Sequence, residues 1–416
     1  MRILHLADLH LDSPLRGLEA DPEAPADLIR GATRQALVRA VDFALAQGVA
    51  LVLIAGDLFD GDWQDWRTGR FMATQLARLS GAGIPVVAIR GNHDAESVLT
   101  RSLVLPDGVT MLPADRAVTL DLPELGVAVH GQGFATRAVM DNLALAYPPP
   151  RPGRLNIGLL HTAATGREGH GTYAPCTVPQ LAAHGYDYWA LGHIHTREVL
   201  CEDPWIVFPG NLQGRHVNET GAKGGTLLTV RDGRIAEVVH HSFDVVRWAR
   251  LVVDVDGCAD EDAAWARVRG AVVDAVQAAE GRQLSLRLVL KGATPAFAAL
   301  TGGDAAGTAR TQVAAAAAAD IWVESVRFDL RPVLDLEQVL ARGDATGLLA
   351  RAILDDVPPG TAELVQAHAA TLLGRARNLR EALGPDHPVV QAAAGRLPPT
   401  LLQQARDLLL ARLAGG

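Results

Sequence analysis

The stretch "VALVLIAGD", Val49–Asp57, sets seven consecutive aliphatic side chains before a Gly-Asp pair. A run this short and this rich in branched aliphatics reads as a strand buried on both faces, as in a parallel sheet covered by helices. Four more runs share its form: "RILHLAD" (Arg2–Asp8), "IPVVAIRGN" (Ile84–Asn92), "RLNIGLLH" (Arg154–His161) and "YDYWALGH" (Tyr186–His193). "EAPADLIRGATRQALVRAVDFALAQG" (Glu23–Gly48) and "WRTGRFMATQLARLSGAG" (Trp66–Gly83) join the first three and are apolar at helical spacing, so the start of the chain reads as βαβ units of an α/β fold.

Further along, "YPPPRPGR" (Tyr147–Arg154) reads as an exposed connector. "WIVFPGN" (Trp205–Asn211) and "GGTLLTVRDGRIAEVVHHSF" (Gly224–Phe243), with a hairpin turn at "RDGR", complete the sheet or build a second one facing it. Near residue 246 the pattern changes to short strands around one helical stretch, which predicts a small α+β domain over 246–335 after a first domain over 1–245. Gly302–Ala319, ending in six alanines, reads as a loop running into a helix. From 336 to 416 the pattern is helical, broken at Pro358, Pro359, Pro385, Pro388, Pro398 and Pro399.

Composition excludes several classes. With 49% hydrophobic and 20% charged residues in 416, the chain is globular and long enough for two or three domains. No apolar run approaches the ~20 residues of a membrane span, and "MRILHLADLHLD" lacks the apolar centre of a signal peptide, so a cytoplasmic location without membrane contact is expected. Cys176, Cys201 and Cys258 are few, odd in number and far apart, which excludes a disulfide framework; burial as small apolar residues is expected. A net charge of -9 means that any nucleic acid must be met by a local basic patch.

Each apolar run ends in metal-binding chemistry: Asp8 and His10 in "ADLH", Asp57 in "GDLFD", Asn92 and His93 in "GNHD", His161 in "LLHT", and His193 and His195 in "GHIH". Strand ends of α/β sheets converge at their carboxyl edge, so these scattered residues are expected in one crevice, with glycine beside Asp57, Asn92 and His193 for close backbone approach. Leaving His93 aside, seven ligands exceed what one ion with an open position needs and suit two ions ~3.5–4 Å apart, bridged by Asp57. Such a pair activates a shared water for attack on a phosphoester. Oxygen and imidazole donors without thiolate favour Mn²⁺, with Fe²⁺ or Zn²⁺ as alternatives. His93 is placed to act as general acid. On an extended strand, His193 and His195 face one side at a separation that suits two different ions.

The ordered set DxH, GDxxD, GNHD, H and GHxH, over roughly residues 1–245, resembles the calcineurin-like metallophosphoesterase superfamily. "MRILHLADLHLDSP", "VLIAGDLFD" and the long C-terminal part look like SbcD-type DNA repair exonucleases, and "FPGNLQGRHVNETGAKG" is closest to the bacterial YhaO-like branch. The resemblance implies a two-sheet sandwich flanked by helices, a small α+β cap and a helical tail that docks an SbcC-like coiled-coil ATPase. It implies that Asp8, His10 and His195 hold one ion, that Asn92, His161 and His193 hold the other, that Asp57 bridges, and that His93 assists catalysis. Some relatives carry histidine where this chain has Asp60, so a DNA-steering role of that histidine does not carry over. Arg90, Asn211, Arg215, His216 and Lys223 are the candidate substrate contacts.

The expected activity is a two-metal DNA phosphodiesterase, an exonuclease that also nicks single strands. A small-molecule phosphoesterase and a non-catalytic DNA- or ATPase-binding scaffold are the alternatives. In the tail, Leu401, Leu402, Ala405, Leu408, Leu409 and Arg412 form one helical face, for packing on the chain itself or for docking a partner or second copy.

Overall fold

A computed structural model describes residues 1–13, 24–60, 65–96, 104–165, 171–317, 321–333, 336–355, 359–375, 380, 383–385 and 387–414. Strands β1 (Arg2–Leu6), β2 (Leu51–Ala55), β3 (Val86–Ile89) and β4 (Val109–Met111) pair in parallel, as the opening run and its neighbours require. A second sheet takes β5 (Val118–Leu122), β6 (Val127–Gln132), β7 (Leu155–His161), β8 (Tyr188–Gly192), β9 (Glu198–Glu202) and β10 (Trp205–Phe208) in the order β5-β6-β7-β8-β10-β9. β11 (Gly224–Arg231) and β12 (Arg234–Ser242) then return to the first sheet, giving β12-β11-β1-β2-β3-β4. Their hairpin turns at Asp232 and Gly233, both at positive φ, which is the two-residue turn that "RDGR" predicts.

The sheets face each other. The period of two sends Ile3 of β1, and Ala7 just beyond its end, into the shared interior, where they meet Val129, Ile157, Leu159 and Tyr188 of the second sheet. Leu4 and Leu6 point the other way, onto helices α1 (Ala26–Ala46) and α2 (Trp66–Gly81) through Leu37, Val41, Met72 and Leu76. The outer face of the second sheet is covered likewise: Leu160, Trp189, Leu191 and Phe208 pack with Tyr147 and with Leu181 of a short helix further on. Both faces of the central strands are therefore buried, which is why "VALVLIAGD" shows no polar alternation. The fold is an α/β two-sheet sandwich flanked by helices, as expected.

Helix α3 (Asn92–Glu96) follows β3, and α4 (Val178–Ala183), closed by a capping box from Thr177 and Gln180, precedes β8. β13 (Val246–Asp254), β14 (Gln283–Thr294) and β15 (Ile321–Pro332) form a third sheet in that order. Between them in sequence come α5 (Glu261–Ala278), α6 (Phe297–Thr301) and α7 (Ala305–Ala316); the alanine run enters α7 and ends outside the described residues. The remainder is helical: α8 (Leu336–Ala341), α9 (Ala345–Leu354), α10 (Thr361–Gly374), α11 (Pro388–Ala393) and α12 (Pro399–Ala414). Two compact units result, one of Met1–Arg250, Val276–Leu286 and Ala319–Glu324, the other of Leu251–Ala275, Arg287–Ala318 and Ser325–Gly416.

Two expectations need correction. In α12, among the described side chains, Leu410 is buried and packs with Val339 and Ala350; of the anticipated face Leu401 and Leu402 are half-buried, Ala405 and Leu409 are exposed, and the side chains of Leu408 and Arg412 lie outside those described. The face is set by where α8 and α9 lie and not by the best-looking stripe. Cys201 is only partly buried and its thiol donates to the Asp203 carbonyl, whereas Cys176 and Cys258 are buried as expected. Among the described residues no helix is long and apolar enough to cross a membrane.

Candidate metal centre

Because β1, β2 and β3 run parallel in one sheet and β7 and β8 in the other, the loops that leave their carboxyl ends meet along one edge of the sandwich. The chain turns sharply there. Asp8, His10, Asp57 and His193 all hold left-handed backbone, at φ of 52°, 41°, 53° and 99°. For residues with a Cβ this costs about 1–2 kcal/mol each and persists only where surrounding contacts enforce it. The flanking glycines are sterically required. A Cβ on Gly56 would come within 2.6 Å of His161 Nδ1, and one on Gly91 or Gly192 would run into the Asp57 carboxylate or the Ala55 carbonyl.

Three donor clusters with ligand atoms within 4.8 Å of one another result: Asp8, His10 and His195 in one, Asp57, His161 and His193 in another, and His10 with Asp60 and His93 in a third that shares His10 with the first. Asn92 joins the second through its amide oxygen, 2.9 Å from His161 Nε2 and 3.1 Å from His193 Nδ1. Asp57 stands between the first two clusters, with the same Oδ2 3.7 Å from His10 Nε2 and 3.5 Å from His161 Nε2.

The outer nitrogens decide what the inner ones offer. His10 Nδ1 donates to Asp60 at 2.6 Å and His195 Nδ1 to Glu219 at 2.7 Å. His161 Nδ1 donates to the Ala55 carbonyl at 2.8 Å and His193 Nε2 to the Gly171 carbonyl at 2.9 Å. With those protons outward, every inner nitrogen is a lone pair. His10 Nε2 and His195 Nε2 face each other at 3.1 Å, and the Asn92 oxygen faces two more. Lone pairs at such distances repel unless a cation lies among them, so the donor set fits a divalent ion at each of the first two clusters.

Electrostatics agree with this arrangement. Burial, followed by the Arg215 charge, lowers His10 to about 4, and burial lowers His161, so both rings are neutral donors at neutral pH. Burial beside Asp57 pushes the Asp8 carboxyl well up; against its own burial, Asp57 is held down at about 2 by His161, His10 and His93. Two buried carboxylates this close call for positive charge.

His93, the second residue of α3, donates its backbone N–H to Asp57 Oδ1 at 2.9 Å and sets its ring Nδ1 3.4 Å from Asp60. With Asp57, Asn92, His193, His195, Arg215 and His216 it lines a cleft of about 480 Å³. Of the anticipated substrate contacts, Arg215 and His216 thus reach the cleft. Asn211 and Lys223 are buried and turned to the protein: Asn211 Nδ2 donates to Gln213 O and Glu219 Oε2, and Lys223 Nζ to the His195 carbonyl at 2.6 Å. Arg90 follows β3 with its Nε buried and its carbonyl accepting from Phe134 N.

Three carboxylates matter more than the sequence signals. Asp60 and Glu219 orient His10 and His195, and Asp94 accepts the N–H groups of Leu58, Phe59 and Gly91, tying the Asp57 loop to the Asn92 loop. The acidic ends of "GDLFD" and "GNHD" were visible signals for Asp60 and Asp94; Glu219 in a polar loop had none. The geometry at His193 also differs from expectation. β8 ends at Gly192, so His193 and His195 lie in a turn and not on an extended strand; their rings still part, one toward Asn92 and the other toward His10.

Residues 1–197 match the family model "Calcineurin-like phosphoesterase", and residues 248–331 match "Metallophosphoesterase YhaO, middle domain". The chain is 34% identical over 300 residues to "Uncharacterized metallophosphoesterase YhaO" of Bacillus subtilis, covering 71% of this chain and 72% of that one. The chain is a YhaO-type calcineurin-like metallophosphoesterase. Over 96% of its length this metallophosphoesterase is also similar, at 25% identity, to a "DNA double-strand break repair protein Mre11" of Methanopyrus kandleri, of which it covers 87%. A "dimetal phosphatase" from Danio rerio is similar in structure at 12% identity and a TM-score of 0.36, over 58% of this chain and 99% of that one.

Proposed function

We propose that this metallophosphoesterase is a two-metal DNA phosphodiesterase, an exonuclease able to nick single strands, working with an SbcC-like coiled-coil ATPase. The observation that carries it is Asp57 Oδ2 lying between two clusters whose imidazoles all turn lone pairs inward. Asp8, His10 and His195 would hold one ion, Asn92, His161 and His193 the other, with Asp57 shared between them; Mn²⁺ would suit these oxygen and imidazole donors. Two such ions, when bound, supply activation of a water and neutralisation of the phosphodiester charge. The chain's own part is to hold Asp57 through the His93 N–H and to present the His93 ring at the cleft as proton donor to the leaving oxygen. His216, at the rim, contacts the strand.

DNA as substrate is supported by the likeness to an Mre11 protein over nearly the whole chain, which extends beyond the catalytic domain. In this reading residues 246–335 cap the site over DNA and 336–416 dock the ATPase. The test is degradation of end-labelled duplex and single-stranded DNA with Mn²⁺, by the chain alone and with a cognate ATPase. Cleavage lost in Asp57→Ala supports the reading. Intact DNA throughout, with hydrolysis of bis(p-nitrophenyl) phosphate, would replace it by a small-molecule phosphodiesterase; neither activity, with the ATPase still bound, would leave a scaffold.

A further inference from the structure

His10 and His195 are oriented by side chains that are themselves joined. Asp60, which accepts from His10 Nδ1, also accepts from Arg215 Nη1 at 3.4 Å. Arg215 Nη2 donates to Glu219 Oε1 at 3.1 Å, and that same oxygen accepts from His195 Nδ1 at 2.7 Å. His195 Nε2 returns to within 3.1 Å of His10 Nε2, closing a ring of five side chains. We propose that Arg215 is a strap: a positioning residue that fixes His10 and His195 to each other and so sets metal affinity at the Asp8–His10–His195 cluster, rather than a clamp for substrate phosphate. This rests on the two-metal reading above.

Three features of the molecule support the assignment. First, both terminal nitrogens of the guanidinium are engaged by carboxylates, and its side chain is only 15% exposed although it lines the cleft. A planar fork suits two acceptors on different segments, which a lysine cannot span. Second, Asp60 and Glu219 are like charges pointed at one small region, and the guanidinium between them, 3.4 Å from one and 3.1 Å from the other, keeps both turned to their imidazoles. Third, the other cluster needs no such device. His161 and His193 are pinned by the Ala55 and Gly171 carbonyls, main-chain acceptors without charge to balance. Glu219 also holds the backbone N–H of Arg215 at 2.7 Å, so the loop that carries the strap is fastened to the ring it closes.

The consequence is that the two ion positions are unequal, one braced by charged side chains and the other by backbone. The experiment titrates the full chain, without substrate, with Mn²⁺, following heat and the spin signal of free Mn²⁺. Arg215→Lys conserves charge, so a change reports geometry and not Coulomb attraction. It weakens one of two Mn²⁺ by about 10–100-fold, the usual effect of losing a group that orients a metal-binding imidazole, and leaves the other unchanged. Glu219→Gln, which keeps the side-chain shape, weakens the same ion. With bis(p-nitrophenyl) phosphate at saturating Mn²⁺, KM stays at the wild-type value in Arg215→Lys. Unchanged affinity for both ions in both variants, a raised KM at unchanged affinity, or equal weakening of both ions overturns the strap. A wild-type chain that takes up no Mn²⁺ overturns the two-metal reading and the strap with it; wild-type uptake of two ions with unaltered variants overturns the strap alone.

Discussion

Gly91→Ala adds one methyl group between the Asp57 loop and the Asn92 loop, where no room is left for it. Gly91 has ordinary negative-φ or extended backbone, so alanine is excluded there only by contact. The new Cβ would stand 2.6 Å from Asp57 N and 2.8 Å from Asp57 Cγ, with an Asp57 carboxylate oxygen nearer still. Ordinary contact between such atoms needs about 3.5 Å or more, so the Asp57 loop and the Asn92 loop must separate by roughly 1 Å. Asp94 resists, because it binds N–H groups of both loops at 2.9–3.2 Å. Overpacking of this kind costs about 1–3 kcal/mol of stability. A displacement near 1 Å between groups that must act together costs about 10²-fold in turnover. The assay compares Mn²⁺ titration, urea unfolding and bis(p-nitrophenyl) phosphate hydrolysis in Gly91→Ala with Gly81→Ala, where an added Cβ meets open space on ordinary backbone. Gly91→Ala binding two Mn²⁺ with wild-type affinity and turning over within twofold of wild type would falsify the claim that this glycine sets the spacing of the two clusters.

Other perturbations test separate parts of the molecule. His93→Gln should slow DNA cleavage by about 10²–10⁴-fold, yet barely slow release of p-nitrophenolate, which leaves without a proton; equal slowing of both would remove the proton-donor role. His5 is buried between the sheets, bonded to Tyr188 OH and the Leu191 carbonyl, and burial lowers it to about 3. Between pH 6.5 and 3 the unfolded chain takes a proton there that the folded chain refuses, so its contribution is complete above pH 6.5 and is lost as pH falls. Urea unfolding at pH 7 and pH 5 should differ by about 2 kcal/mol less in His5→Gln than in wild type, and an unchanged difference would show that His5 is not the group titrating. Trp189→Ala, which empties a fully buried position and frees the Leu181 carbonyl from Trp189 Nε1, should cost about 3–5 kcal/mol in the same assay.

The apolar runs and their endings were legible because they are local. A strand covered on both faces must be aliphatic throughout, and the polar residue that ends it lies at the sheet's edge, so Asp8, Asp57, Asn92, His161 and His193 could be read one run at a time. Their glycines were legible for the same reason, since close approach of two backbones leaves no room for a Cβ. The hairpin at Asp232 and Gly233 and the proline-broken helices of the C-terminal part likewise follow from short-range backbone preference.

Which nitrogen of each imidazole faces inward is not local. It depends on an acceptor 50 residues from His10, 24 from His195 and 106 from His161, and no spacing rule connects them. The same holds for the sense in which His193 and His195 diverge. That outcome was expected from an extended strand, yet it arises in a turn where His193 is held left-handed with its backbone N–H on Asp8. The burial of Leu410 in α12 was not anticipated because its partners come from α8 and α9. Eight of the sandwich's twelve strands and the inventory of metal-binding side chains were thus readable along the chain, since burial and backbone sterics act on neighbours; β4, β5, β6 and β9, short, partly exposed or interrupted by polar residues, were not. Which lone pairs meet, which carboxylates stand behind them and the joining of those carboxylates by Arg215 come from the folded chain, because hydrogen-bond direction is fixed by whatever the fold brings to the far side of each ring.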